Sequence, residues 1–248
     1  MNQGTFVEKY GKQFANSAKT RSYYADIVLC IDGTKSMSPI IELVKENALR
    51  LPGDLHKTLE EKNKHVDQLR IKVLVFRDYA CDGEGAMQMS PFLTMDEDLP
   101  VFKKTIDEIV AVGGGDEPEN GLEALAYAMA SDWVQPDYDR KCRQVIVLWS
   151  DASTHKLGHG SNNKYYDPKL PADFETLTSW WGDDPQNPAG KMNYESKRLL
   201  LFTPQTGYWS SIPDKWDNVM LFPVMPGKGM KEKTYEEVIK VLANSLDA

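Results

Sequence analysis

The sequence predicts an α/β fold: a doubly wound, mostly parallel sheet of six strands, one of them a short antiparallel edge strand. Three observations carry this. Short apolar runs rich in β-branched residues recur along the chain, and amphipathic stretches of helical spacing separate them. The runs are apolar throughout instead of alternating, as strands are when helices cover both faces of a sheet.

Taken in order, residues 1–24 are polar with scattered aromatics and read as an N-terminal arm, leaving 25–247 as one domain. Ile27-Val28-Leu29-Cys30-Ile31 is the first strand. Ile40, Val44, Ala48, Leu51, Leu55 and Leu59 then recur at spacings of three and four, a single helical stripe. Ser38-Pro39 is a helix-start signal, and Pro52-Gly53 is expected to kink or interrupt the helix. Residues 71–76 form the second strand, and Ala86 to Leu93 follow a Gly-containing turn as the antiparallel edge strand. Leu99, Phe102, Ile106 and Ile109 mark a second helix opened by Asp98 and Pro100. Leu122, Leu125, Met129 and Trp133 mark a third. Val145-Ile146-Val147-Leu148-Trp149 is another strand. The segment 153–195 is rich in Gly, Asn, Asp, Pro and aromatics and reads as an elaborated connection with a helix near 172–181. Its Tyr165, Tyr166, Phe174, Trp180 and Trp181 suit either a partner surface or a small core beneath a long loop. Strands at 199–202 and 219–222 follow, the latter on an edge because Pro223 closes it. Tyr235, Val238, Leu242 and Leu246 make a C-terminal helix.

Composition narrows the function. The 248 residues carry 37 acidic and 29 basic side chains, a net charge of −8. That is a poor footprint for nucleic acid, which calls for a basic surface. The longest apolar runs fall far short of the ~20 residues of a membrane span, and the first residues lack the apolar stretch of a secretory signal. Cys30, Cys81 and Cys142 are odd in number and widely spaced, which argues against a disulfide framework and for a reducing, cytoplasmic setting.

Ligands of open α/β sheets bind beyond the carboxyl ends of the strands. Three loops there are rich in oxygen donors: Asp32-Gly33-Thr34-Lys35-Ser36, then Gly113-Gly114-Gly115-Asp116-Glu117-Pro118-Glu119, then Ser150-Asp151-Ala152-Ser153-Thr154. Carboxylates and hydroxyls without a central thiolate or imidazole suit a hard divalent cation such as Mg²⁺. The alternation of Asp32, Thr34 and Ser36 lets an extended loop turn all three toward one ion.

This alternation resembles the DxSxS motif of the von Willebrand factor A (VWA) domain, the core of its metal-ion-dependent adhesion site. The resemblance extends over roughly residues 25–247. It implies a Rossmann-like fold and a protein-interaction module, with Mg²⁺ (or Mn²⁺ or Ca²⁺) held by Asp32, Thr34 and Ser36, by Asp116 and by Asp151. It further implies a protein partner that meets the metal through an acidic side chain. Thr34 replaces the usual Ser and keeps the hydroxyl. Asp116 stands where many adhesive members have Thr, so three carboxylates face a 2+ ion, which favours the metal and weakens the demand for an acidic partner. The GGGD-x-PE stretch and Arg77-Asp78-Tyr79 are similar to segments of stand-alone bacterial VWA proteins linked to tellurite resistance and α-kinases. By that likeness the chain takes part in a multi-protein signalling or stress-response system. Arg77, Asp78, Glu117 and His155 are then expected to support the ligands from behind or to meet a partner, although Arg77 and Asp78 also read as a surface ion pair of little weight.

Ile31-Asp32-Gly33-Thr34 also resembles the DxDGT loop of haloacid-dehalogenase phosphatases. There the first Asp is the nucleophile, and here that position is Cys30. His155 and His159 are four apart but lack the Glu of HExxH, so loop polarity explains them more simply than zinc. The expected protein is therefore not an enzyme. The alternative is a metal-dependent hydrolase of phosphate substrates, with Asp78, Glu117 or His155 as its base.

Overall fold

Parallel strands whose side chains alternate between two covered faces are apolar along most of their length, and the first strand shows it. Its exception is Asp26, which is paired to Arg70. In the computed structural model, which describes residues 22–63, 65–115, 117–182, 184, 186–225 and 232–245 (side chains excepted at 232–234 and 245), β1 spans Ser22–Asp32 and is buried from Ala25 onward. Ala25, Ile27, Leu29 and Ile31 face one core, and Val28 and Cys30 face the other.

Seven strands are present among the described residues: β1, β2 (Gln68–Phe76), β3 (Met87–Met89), β4 (Leu93–Thr94), β5 (Arg140–Trp149), β6 (Lys197–Thr203) and β7 (Val219–Pro223). The order is β3-β2-β1-β5-β6-β7, with β4 also paired to β2. All pairings are parallel except those of β3 and β4 with β2. The mostly parallel sheet is thus the expected one, with its antiparallel edge in two pieces. Pro91 lies in the break and cannot donate to the ladder. Ser90 partly bridges it, its hydroxyl accepting from the Val73 amide at 2.9 Å. β7 is the opposite edge, as Pro223 requires.

Helices α1 (Ile41–Glu61) and α3 (Met95–Asp107), with α7 (Glu232–Ser245), cover one face; α4 (Gly121–Met129), α5 (Phe174–Trp181) and α6 (Gly207–Lys215) cover the other. A short helix α2 (Tyr79–Asp82) follows β2. α1 runs through Pro52-Gly53 as one helix, so the interruption named as one of two expected outcomes does not occur. A proline inside a helix costs ~3 kcal/mol, and burial of Leu51, Leu55 and Leu59 at ~1.5–3 kcal/mol each outweighs that. Its start also differs: Ser38 closes a 3₁₀ turn over Lys35–Met37, and the α-helix begins at Ile41. α3 likewise begins ahead of Asp98, whose carboxylate accepts from the Thr94 amide at 2.9 Å.

The arm expected at 1–24 lies outside the described residues except for Ser22, Tyr23 and Tyr24, which belong to β1. Leu246 also lies outside them. In the connection between β5 and β6, Trp181 is fully buried and stacks on Trp216 with ring centres 5.5 Å apart, so it joins the main core. Buried Lys197 donates to the carbonyls of Trp181 at 3.1 Å and Gly182 at 2.7 Å, fastening the end of α5 to β6. Among the described residues no helix is long and apolar enough to cross a membrane.

Candidate metal centre

Strand register decides what meets at the carboxyl edge. Asp32 is level with Phe76 of β2, and Ile31 with Trp149 of β5, so the loops after these three strands leave the sheet side by side. The chain order moves outward from β1 in both directions, to β2 on one side and β5 on the other, which opens a crevice there.

Four of the expected ligands lie in one hydrogen-bonded chain. The buried Asp32 carboxylate accepts from the Thr34 hydroxyl at 2.6 Å and the Thr34 amide at 2.9 Å. The Thr34 and Ser36 hydroxyls are 3.0 Å apart, and Ser36 donates to Asp151 at 2.8 Å. The other oxygen of Asp32 accepts from Ser150 at 2.6 Å. Thr34 has extended backbone, as the alternating pattern needs. Asp116, the fifth expected ligand, lies outside the described residues.

Glu119 joins the site, which spacing did not reveal. A parallel bridge pairs Glu119 with Thr154, and the Glu119 amide donates to the Ser153 carbonyl at 3.0 Å. This stitching sets the Glu119 side chain beside Thr34. Its Oε2 is buried and has no hydrogen-bond partner. Gly114 makes room for it: φ is +88°, and a Cβ there would lie 2.8 Å from Glu119 Oε1 and 2.8 Å from Thr34 Cβ. The resulting cleft has a volume of about 340 Å³ and is lined by Thr34, Ser36, Glu119 and Asp151 among others. Glu117 is on its rim, its carboxylate accepting from the Ser153 amide at 2.8 Å. A third acid after the glycines, Glu119 within Asp116-Glu117-Pro118-Glu119, was the sequence signal available for it.

The electrostatics are those of a carboxylate-rich pocket, with Lys35 on its lining and the buried Arg77 guanidinium behind Asp32. Burial pushes the Asp32 carboxyl up to about 6, with the Asp151 charge adding to it and the donors Ser150 and Thr34 opposing. Burial, then the nearby charges of Asp32, Asp78 and Asp82, push Glu119 up to about 9. An all-oxygen donor set with an unpartnered buried carboxylate oxygen fits a hard divalent cation. Imidazole and thiolate donors are not part of it, which disfavours a soft ion at this position.

Arg77 departs from only one of its two readings, the surface ion pair. It is buried, and it forms no surface pair. Its guanidinium donates to the carbonyls of Gly33, Val112, Gly85 and Val110 at 2.8–2.9 Å and to Gln88 at 3.2 Å. It ties the loop after β1, the segment before the glycines and the turn after α2 together behind the site. Asp78 caps α2, accepting from the Ala80 amide at 2.7 Å. His155 sits over it, with Nε2 3.8 Å from Asp78 Oδ2.

Residues 26–136 match the family model of the von Willebrand factor A domain. Among solved structures the chain is similar to the pilus adhesin SpaC from Lactobacillus rhamnosus GG, with TM-score 0.54 and 9% identity, covering 91% of this chain and 31% of that one. The open conformation of SpaC gives TM-score 0.54 and 10% identity, over 91% and 30% of the two chains. A third similar structure is the vWF domain of the type V pili tip protein Mfa5 from Porphyromonas gingivalis, with TM-score 0.37 and 18% identity over 54% and 40%. The chain spans about a third of SpaC, and the likeness is one of fold. No curated protein sequence matches it. The matched residues and the sheet give the chain the von Willebrand factor A fold.

Proposed function

We propose that this von Willebrand factor A domain is a divalent-metal-dependent protein-interaction module whose cation is held by Asp32, Thr34, Ser36, Asp151 and Glu119. Asp116 belongs to the proposed set by its place in the sequence. The observation that carries the reading is the unbroken chain of donors from Asp32 through Thr34 and Ser36 to Asp151, facing the unpartnered oxygen of Glu119. Mg²⁺ is the ion proposed, with Mn²⁺ or Ca²⁺ as substitutes of like chemistry.

When bound, the ion supplies a positive centre at the cleft mouth to which a partner's acidic side chain is attracted. The protein's own residues set how strongly. Asp32, Glu119 and Asp151, joined by Asp116, oppose a 2+ charge with four carboxylates, so they favour the ion and leave less attraction for an acidic partner. Ser36, exposed at the mouth, is the ligand nearest to a partner. A non-enzymatic role in a cytoplasmic multi-protein system goes with this reading. Its support is the resemblance of the Arg77-Asp78-Tyr79 segment to those of stand-alone bacterial proteins of this family.

Calorimetric titration with Mg²⁺ and Mn²⁺ tests the metal. Binding that weakens in Ser36→Ala and Asp151→Asn is expected, and no binding at millimolar metal overturns the reading. Capture of a protein partner with and without EDTA tests the interaction, and capture that survives EDTA points to a scaffold with no working ion. Metal-dependent phosphate release that disappears in Asp32→Ala would replace the module by a hydrolase.

A further inference from the structure

A second group of ligating side chains is anchored to Glu119 and Asn120, beside the cleft. Asp78 leaves β2, whereas His155 and His159 come from the connection after β5. His155 Nε2 is 3.8 Å from Asp78 Oδ2, and His159 Nε2 is 3.7 Å from Asp78 Oδ1. The ligand atoms of all three lie within 4.8 Å of one another. From these contacts we infer that Asp78, His155 and His159 form a second metal site, selective for a borderline ion of the Zn²⁺ type.

The spacing supports an ion. At 3.7–3.8 Å these nitrogen–oxygen pairs are too long to be hydrogen bonds. A tetrahedral ion ~2.0–2.1 Å from its ligands holds them ~3.4 Å apart, a few tenths of an ångström closer than here. The two imidazoles are stacked, with ring centres 3.4 Å apart and planes 12° from parallel, so one must turn for both nitrogens to converge. His159 is the more exposed and has the freedom to do so.

The frame around the three is fixed. Asp78 is buried, and the Ala80 amide donates to its Oδ1, which fixes the carboxylate that faces both imidazoles. The His155 amide donates to the Glu119 carbonyl at 2.9 Å, and Asn120 donates to the His159 carbonyl at 3.2 Å. Gly160 lets this loop settle on α2: its φ is +74°, and a Cβ would lie 2.6 Å from Tyr79 Cβ and 2.9 Å from the Ala80 amide. Two imidazoles and one carboxylate are the donors that favour Zn²⁺, Co²⁺ or Ni²⁺ over Mg²⁺. Three protein ligands leave a coordination position for water or for a partner's side chain. The spacing of His155 and His159 did not suggest zinc because their common partner comes from a different strand.

Co²⁺ titrated into the whole chain in excess Mg²⁺ tests this, with Mg²⁺ competing for the all-oxygen cleft. Visible d–d bands of a low-coordinate nitrogen-ligated Co²⁺ are expected in the wild type and in Asp32→Asn. His155→Ala and His159→Ala should each lower Co²⁺ affinity tenfold or more, and Zn²⁺ should displace the bands. Absence of the bands in the wild type, their persistence at full affinity in folded His159→Ala, or their loss in Asp32→Asn would each overturn the inference. Bands that persist in a protein showing no Mg²⁺ binding support this site and reject only the reading of the cleft.

Discussion

Arg77 Nε lies 2.9 Å from the carbonyl oxygen of Gly33, joining the end of β2 to the loop that carries Asp32 and Thr34. The same guanidinium reaches the carbonyls of Val112 and Val110, next to the glycine loop. Two of the three candidate-site loops are therefore held from behind by one buried cation.

Replacing Arg77 with Met should leave several buried carbonyls without donors. A loss of ~3 kcal/mol in unfolding free energy is expected, since bonds from a charged donor contribute ~1.5–3 kcal/mol each and are not additive. Arg77→Lys should recover only part of it, because an ammonium cannot span the fork. Urea denaturation of the metal-free proteins measures both.

Ser36→Ala should separate binding from folding. Ser36 is exposed and its main contact is Asp151, so stability should change by no more than ~1 kcal/mol. Mg²⁺ affinity should fall about tenfold, ~1.4 kcal/mol, with one ligand lost. Calorimetry beside a thermal melt reads the two effects; equal loss of both would contradict the assignment.

The metal-free protein should lose stability as pH rises. Asp32 and Glu119 keep their protons in the folded state up to about 6 and about 9, whereas the unfolded chain releases them near ~4. Folding therefore takes up protons across this window, so stability is full below the unfolded value and declines through the folded ones. Glu119→Gln should flatten the upper part of the profile and raise the metal-free melting temperature at pH ~8, while weakening Mg²⁺ binding. Thermal melts from pH ~5 to ~9, with and without Mg²⁺, give the comparison.

Gly114→Ala should close the cleft. The added Cβ meets Glu119 and Thr34 at 2.8 Å in a backbone conformation that L side chains avoid. A loss of ~1–3 kcal/mol in stability is expected, together with a fall in Mg²⁺ affinity larger than for Ser36→Ala. Unchanged Mg²⁺ binding would show that Glu119 stands outside the ligand set.

Much of this architecture was legible along the chain. The five parallel strands show as apolar runs, and the helices as stripes of three and four, because both patterns are set by neighbours in sequence. Asp32, Thr34 and Ser36 could be grouped because they sit within five residues of one loop, although Ser36 lies in a 3₁₀ turn and not in extended backbone. Pro52 misled because its cost is local, whereas the burial that overrides it comes from packing across the sheet.

What the sequence by itself determined was the αβ layering and the oxygen-rich character of three loops. Tertiary structure alone decided which side chains meet. Ser36 reaches Asp151 across 115 positions, and Ser150 reaches Asp32 across 118. Glu119 enters through a two-residue bridge to Thr154, Arg77 turns inward to clasp carbonyls, and Asp78 comes to face two histidines from another strand's loop. The reason is physical: such contacts depend on the register of parallel strands, which brings their ends level, and no spacing within one segment encodes the distance to another.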